Sequence, residues 1–576
     1  MKRPVLLLLL AYVFFTACRS GTPVQTIYYN GDILTMTGQQ PTYVEALAVN
    51  GGKIVYAGSR GQAMKRAGST TQMVDLRGKT LMPGFIDAHG HVGGYASFSF
   101  AADLQPPPYG HVASIPDLQQ VLRSYINDKK LPEGMLVIGN GYDDAIMQEH
   151  RHPTAAELDA VSATRPIYIM HTSGHMGVAN TAALQKLGIT DQTPDPAGGM
   201  YGRYPGSNHL TGKMIENAHI QALMQLIKLL PVPAHPTDAQ KFGPLQNAVD
   251  VWLANGQTTI CEGRTAPEQI ELLIAANRKG LLKADVIILP DYDSNKDSLD
   301  ALKKWYGHYE GRIKIGAIKM TFDGSPQGKS AWLTQPYLVP PDGEQPGFKG
   351  HPIYTHQAAY LGLKDIFEHG MQAHIHCNGD AAIDEGLHLL DTLQQQGLRT
   401  SDMRCVLVHA QVCRPDQVPL FKKLQVMPSW FPTHCYLWGD WHLTQVLGDP
   451  RASHISPLKA GLDQGIVFTI HHDSPVTPPD LLTAVYAAVN RRTRSGKVLG
   501  ADQRIGPYEA LKAITINAAY QWGEEKEKGT LEPGKRADLV ILDQNPLKTD
   551  PLQIKDIRVM TTIKDGVTVY QKNSTP

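Results

Sequence analysis

"LMPGFIDAHGHV", residues 81–92, runs from an apolar, strand-like segment into two histidines at alternate positions, His89 and His91. Successive strand residues face opposite sides, so the two imidazoles share a face and can converge on one ion. Asp87 shares that face and could orient a ring from behind. Alone, such a pair says little: with 23 histidines in 576 residues, about one is expected by chance. Three occur, at 89/91, 150/152 and 374/376. His150 and His152, in "QEHRHPT", sit in loop-like sequence and read as structural. The surrounding pattern decides among them.

Working outward, the middle of the chain alternates β and α signals, as a parallel sheet or barrel does. Candidate strands lie at 81–89, 257–263, 283–291, 312–324, 370–380, 404–411, 424–432 and 465–475, most followed by a helical stretch such as "AAIDEGLHLLDTLQQQ". Eight such units predict a (β/α)8 TIM-like barrel over 83–527, of α/β class, with its polar residues at the C-terminal ends of the strands, where chemistry belongs in that fold. Residues 95–250, with breaks such as "QPPPYG" and "PVPAHPTD", form an insertion after the first strand that is large enough to roof the barrel mouth. Short β runs return at both ends of the chain, with Asn-Gly at 30–31 and Asn-Gly-Gly at 50–52 placed as hairpin turns. Residues 23–82 and 528–573 together predict a composite β-sandwich domain. The run "EEKEK", 524–528, reads as a solvated helix end.

Lys plus Arg and Asp plus Glu both total 54, which excludes a nucleic-acid binder driven by charge. Lys2 and Arg3 precede an apolar stretch, Val5 to Phe15, too short to span a bilayer. Thr16 and Ala17 follow, then Cys18, the pattern of an export signal over residues 1–18. "FTAC" resembles a bacterial lipobox. That implies a lipid anchor on Cys18 and a protein held in a bacterial cell envelope, facing the periplasm or the surface; a soluble exported protein is the alternative. The five remaining cysteines show no regular spacing and read as buried thiols rather than a disulfide framework.

Four more residues strengthen the first histidine pair: Lys319 near the end of the fourth strand, His376 in the fifth, His409 in the sixth and Asp473 in the eighth. With "IKMTFDGSPQG", "AHIHCNGDAAID", "VLVHAQ", "HHDSPV", "ITINAAY" and "KGTLEPGKRADLVILD", nearly the whole mature chain resembles the metal-dependent amidohydrolase superfamily, in the branch that includes N-substituted formamide deformylases. The resemblance implies metal ligands at His89, His91, His376, His409 and Asp473, and a carboxylated Lys319 bridging two ions. An unmodified ammonium has no lone pair to give; a barrel lysine paired with a carboxylate such as Asp323 is the alternative. One or two divalent ions are implied, zinc first among them. Asp473 would serve as general base and then acid. His471 and His472 stand where the family usually has small residues, and His471 reads as barrel filling.

"HTSGHMGVANTAAL" resembles a family segment that faces the active site, making His175 a carbonyl-polarising or substrate-binding group. Tyr142 in "GNGYDD", Glu262 at the end of the second strand (or paired with Arg264), and Trp430 and His434 in "SWFPTHCYLWGDWH" are further substrate-binding candidates. The expected reaction is hydrolysis of a C–N bond in an amide, N-formyl or cyclic amide small molecule. A deaminase or other hydrolase of the same superfamily, and a catalytically silent binding lipoprotein, are the competing readings. No nucleic-acid partner is expected, membrane contact is through the lipid anchor alone, and a homodimer is left open.

Overall fold

The computed structural model describes residues 23–231, 236–341 and 344–572; the leader and Cys18 lie outside them. The eight strands appear in order as two parallel sheets that meet within the fourth strand of a TIM-like barrel. One sheet joins Phe85–Ile86, Gln257–Thr265, Asp285–Pro290 and Ile313–Ile315; the other joins Ile318–Thr321, Ala373–Cys377, Val406–His409, Met427–Trp430 and Thr469–Ile470. Gly316 and Ala317 divide the fourth strand. A Cβ on Gly316 would stand 2.5 Å from the Ile287 side chain and 3.0 Å from the Trp522 ring, so the chain passes only because that side chain is missing. Between the eighth and first strands, the Asp473 N–H donates to the His89 carbonyl at 3.3 Å and the His91 N–H to the Ser474 carbonyl at 2.8 Å.

Strand alternation sorts the two faces. Ile318, Met320, Ala373, Ile375, Cys377, Leu407 and Ile470 enter one large apolar core beneath the outer helices. Lys319, His374, His376, Ser429 and Thr469 take the opposite parity and point inward. The helix Asp238–Ala254 packs Phe242, Leu245, Val249 and Trp252 against Ile260, Val286 and Ile288. It is the barrel's own helix between the first and second strands, so the insertion ends earlier than residue 250. The insertion is also more than helices: six strands between Ala102 and Glu216 form a mixed sheet.

The chain ends share one eight-stranded sheet in which Leu539–Leu542 pairs antiparallel with Thr80–Pro83. Leu539 and Ile541 fill that sheet's core with Leu47 and Val49, while Val540 and Leu542 enter the barrel core, so alternation welds the two bodies. Asn50–Gly52 makes the expected hairpin turn. Asn30–Gly31 instead lies inside the strand Thr26–Leu34, at a register irregularity where Asn30 has φ 62°.

Below the barrel, "EEKEK" proves to be buried rather than solvated at both ends. Lys528 contacts Asp285 and Glu524, each at 2.7 Å. Lys564 contacts Asp285 and Asp538, each at 2.8 Å, and Lys314 pairs with Glu524. The five described cysteines are free and buried. No helix among the described residues is long and apolar enough to cross a membrane.

Candidate metal centre

Asp473 stands at the centre. Its Oδ1 lies 3.4 Å from His89 Nε2 and 3.3 Å from His91 Nε2; its Oδ2 lies 3.9 Å from His409 Nε2. Oδ1 is buried and accepts no hydrogen bond, and His89 Nδ1 is likewise idle. Ligand atoms held tetrahedrally at about 2.0–2.1 Å from zinc lie about 3.3 Å from one another, so these spacings are those of atoms sharing an ion. Lys319 Nζ is 3.3 Å from His89 Nε2. Among the described residues it forms no ion pair with a carboxylate; Asp323 instead lies 3.3 Å from His376.

Electrostatics suits the same reading. Burial drives the imidazoles of His89 and His409 well below the usual histidine range, leaving them neutral with lone pairs to give. Burial opposes the charge on Asp473, but His409, His91 and His89 around it hold the carboxyl well below its usual value. Burial also lowers Lys319 to about 8, near the point where an amine is free to take up carbon dioxide.

His409 reaches the centre against its strand's parity. Register pairs it with Cys377, on the outer face, while His376 pairs with Val408. Left-handed backbone at His409 (φ 70°) and Ala410 (φ 42°) turns the ring inward, and Asp473 (φ 55°) is similarly held. His471 is not mere filling: its Nε2 lies 3.1 Å from His409 Nδ1, and its Nδ1 lies 3.0 Å from Ser429 Oγ. His376 faces His409 at 4.6 Å between ring centres, but its Nδ1 lies 3.3 Å from Asp323 and its Nε2 lies 3.2 Å from Asn378, outside the tight group around Asp473. Asp323 also accepts from the backbone N–H groups of Asn378, Gly379 and Trp332.

Asp87 faces the ring of His472, whose Nε2 lies 3.5 Å from its Oδ2, rather than the ring of His89 or His91, and it also fixes the loop. It accepts from the His89 N–H at 3.0 Å, the Trp252 indole at 3.0 Å and the Cys261 N–H at 3.2 Å. Glu262 is buried beside His91 and accepts from the Gly93 N–H; burial raises its carboxyl to about 7. Arg264 pairs with Asp291 instead. Trp430 is the clear correction among the substrate-binding candidates. It is fully buried in the helix-side core, 5.0 Å from Phe468 between ring centres, because Ser429 and not Trp430 has the inward parity. His434 is buried at the edge of the site, 4.3 Å from Phe431 and 6.2 Å from His409.

His175 lines a cavity of about 740 Å³ between insertion and barrel, its ring 5.9 Å from that of His376. Burial opposes its cation, yet Glu216, 2.9 Å from Nδ1, holds the imidazole above its usual value. Tyr142 lies away from the metal centre in a second buried cluster, with its hydroxyl 3.0 Å from His152 Nδ1. There His171 lies 3.0 Å from Asp144, and Asp143 accepts from the Trp438 indole at 2.6 Å, tying the roof to the seventh-strand loop. His150 and His152, expected to be purely structural, line the cavity as well. Sequence reasoning missed Glu216 and left Asp323 as a mere alternative partner for Lys319; in "FDGSPQG" the alternation from Lys319 through Thr321 to Asp323 was the available signal for the latter.

The amidohydrolase family model matches residues 72–570. An N-substituted formamide deformylase of Arthrobacter pascens is 26% identical over 556 residues, 94% of this chain and 98% of the relative. A 5-methylthioadenosine/S-adenosylhomocysteine deaminase of Caldanaerobacter subterraneus is 23% identical over 354 residues, 58% of this chain and 70% of the relative. An uncharacterized metal-dependent hydrolase of Pyrococcus horikoshii superposes with a TM-score of 0.69 at 26% identity, covering 91% of this chain and 99% of that one. With Asp473 and the imidazoles of His89, His91 and His409 converging at the mouth of a TIM-like barrel and a family match spanning most of its length, the chain belongs to the amidohydrolase family of hydrolases.

Proposed function

We propose that the substrate is a small N-acyl, N-formyl or cyclic amide, hydrolysed at the centre built on His89, His91, His409 and Asp473, with His376 and a carboxylated Lys319 completing the ligand set. The observation that carries this reading is the idle Asp473 Oδ1 between the Nε2 atoms of His89 and His91, at 3.4 and 3.3 Å. A divalent ion held there, zinc by the chemistry of its donors, would acidify a water and polarise the scissile carbonyl. Asp473, a carboxylate at neutral pH, takes the proton released in attack and returns it to the leaving nitrogen. The cavity of about 740 Å³ accommodates a drug-sized substrate body, with His175 in its lining. The leader over residues 1–18 supports an exported protein anchored through Cys18.

Plasma mass spectrometry on metal-supplied protein lacking residues 1–18, followed by a screen of N-acyl and N-formyl amides, tests the proposal. Two ions per chain and amide turnover are expected. One ion would remove Lys319 from the ligand set. Turnover of amino-heterocycles alone would favour a deaminase, the activity named for one relative. No metal after reconstitution would overturn the mechanism and leave a binding protein.

A further inference from the structure

One pair in the cavity lining is built differently from its neighbours. Glu216 ends the strand Leu210–Glu216 and directly precedes the helix Asn217–Ile227. Its backbone has φ 49° and ψ −122°, a conformation that a residue with a Cβ adopts only when its surroundings enforce it. Standing at the helix N-cap, its side chain makes no capping bond. It turns back instead, and Oε2 lies 2.9 Å from His175 Nδ1. The backbone repeats the tie, the Glu216 N–H donating to the His175 carbonyl at 2.8 Å. Gly324 provides the room: a Cβ there would stand 2.7 Å from Glu216 Oε1. Backbone strain and a missing side chain, from separate segments, thus converge on fixing one imidazole.

That imidazole lines the cavity and lies 5.9 Å from His376 between ring centres, where the cavity lining approaches the centre. With Nδ1 engaged by the carboxylate, Nε2 is the ring nitrogen left for a ligand. We propose that Glu216 is a positioning residue that holds His175 so that its Nε2 edge hydrogen-bonds the carbonyl oxygen of an amide entering from the cavity. The proposal rests on the amide-hydrolase reading above. A hydrogen bond to an oxygen that gains negative charge strengthens as the carbonyl carbon is attacked, so the pair acts on kcat more than on KM.

The test compares E216Q, H175Q and the double variant in the full, metal-loaded chain. E216Q should lower kcat by about tenfold or more and leave KM within about threefold, with metal content unchanged. The double variant should be no slower than H175Q, because the two residues act as one unit. Multiplying effects, a change confined to KM, or lost metal would overturn the proposal. A substrate-free readout separates it from the amide reading: diethyl pyrocarbonate labelling followed by peptide mass spectrometry. His175 should be modified several-fold faster in E216Q, once its ring is released, while exposed His209 is unaffected. An unchanged His175 rate overturns the proposal even if amides are hydrolysed. If wild type hydrolyses no amide, the reaction reading falls and the labelling alone decides the pair.

Discussion

The barrel carries buried charge at both ends, and the two ends are organised in opposite ways. At the N-terminal end three ammoniums, Lys314, Lys528 and Lys564, face three carboxylates, Asp285, Asp538 and Glu524, at ion-pair distance. At the C-terminal end Asp473 has no ammonium within ion-pair distance among the described residues; it faces His89 and His409, kept neutral by burial, and its buried Oδ1 accepts no hydrogen bond. A polar cluster that closes on itself holds two bodies together. One that leaves atoms idle, in a place where burial makes idleness costly, is shaped for something it binds.

The contrast predicts that damage at the two ends will read out differently. The largest effect should come from D473N, which ought to cut kcat by about 10³-fold while the metal-free melting temperature stays within about 3 °C of wild type. Chelation should lower the melting temperature of wild type and leave D473N where it was. A large metal-free destabilisation in D473N would erase the distinction between the ends.

Next is D285N, which removes the carboxylate shared by Lys528 and Lys564, leaves them Glu524 and Asp538, and should cost about 3 kcal/mol of stability by urea unfolding. Metal content and the kcat of the folded fraction should not change. The same network gives a pH signature. Asp285 and Glu524 are opposed by burial but held below their usual values by the surrounding lysines. Their contribution is therefore complete above the unfolded carboxyl values of about 3.9 and 4.3 and is lost as pH falls through the lower folded values. The urea midpoint of wild type should drop steeply below about pH 4, and that of D285N less so.

W430F sharpens the comparison from between the ends. Trp430 belongs to the helix-side core, so its loss should cost about 1–2 kcal/mol by cavity formation. Amide hydrolysis should change by less than about twofold; a larger loss would put the indole in contact with substrate after all.

Much of this was legible in the chain because it is local. Period-two alternation places Lys319, His374 and His376 on one face, and the turn at Asn50–Gly52 is written in its residues. What escaped depends on backbone departures or on distance. His409 has the wrong parity for the site and arrives only through left-handed backbone. Trp430 looked like a mouth residue because aromatic composition does not reveal parity. Glu216 meets His175 from 41 positions away through a strained strand end. "EEKEK" looked solvated because composition cannot show that Asp285 lies opposite.

The sheet made from both chain ends bears on how the molecule is born. Leu81 pairs with Ile541, and Lys564, which enters the basal network, meets Asp285 from far along the chain. Contacts so distant in sequence carry a heavy loop-closure cost and form late. The nascent chain therefore cannot seal its base until the C-terminal strands emerge. A truncation there should cost the whole molecule its stability, since it removes the clasp on which the barrel's underside closes.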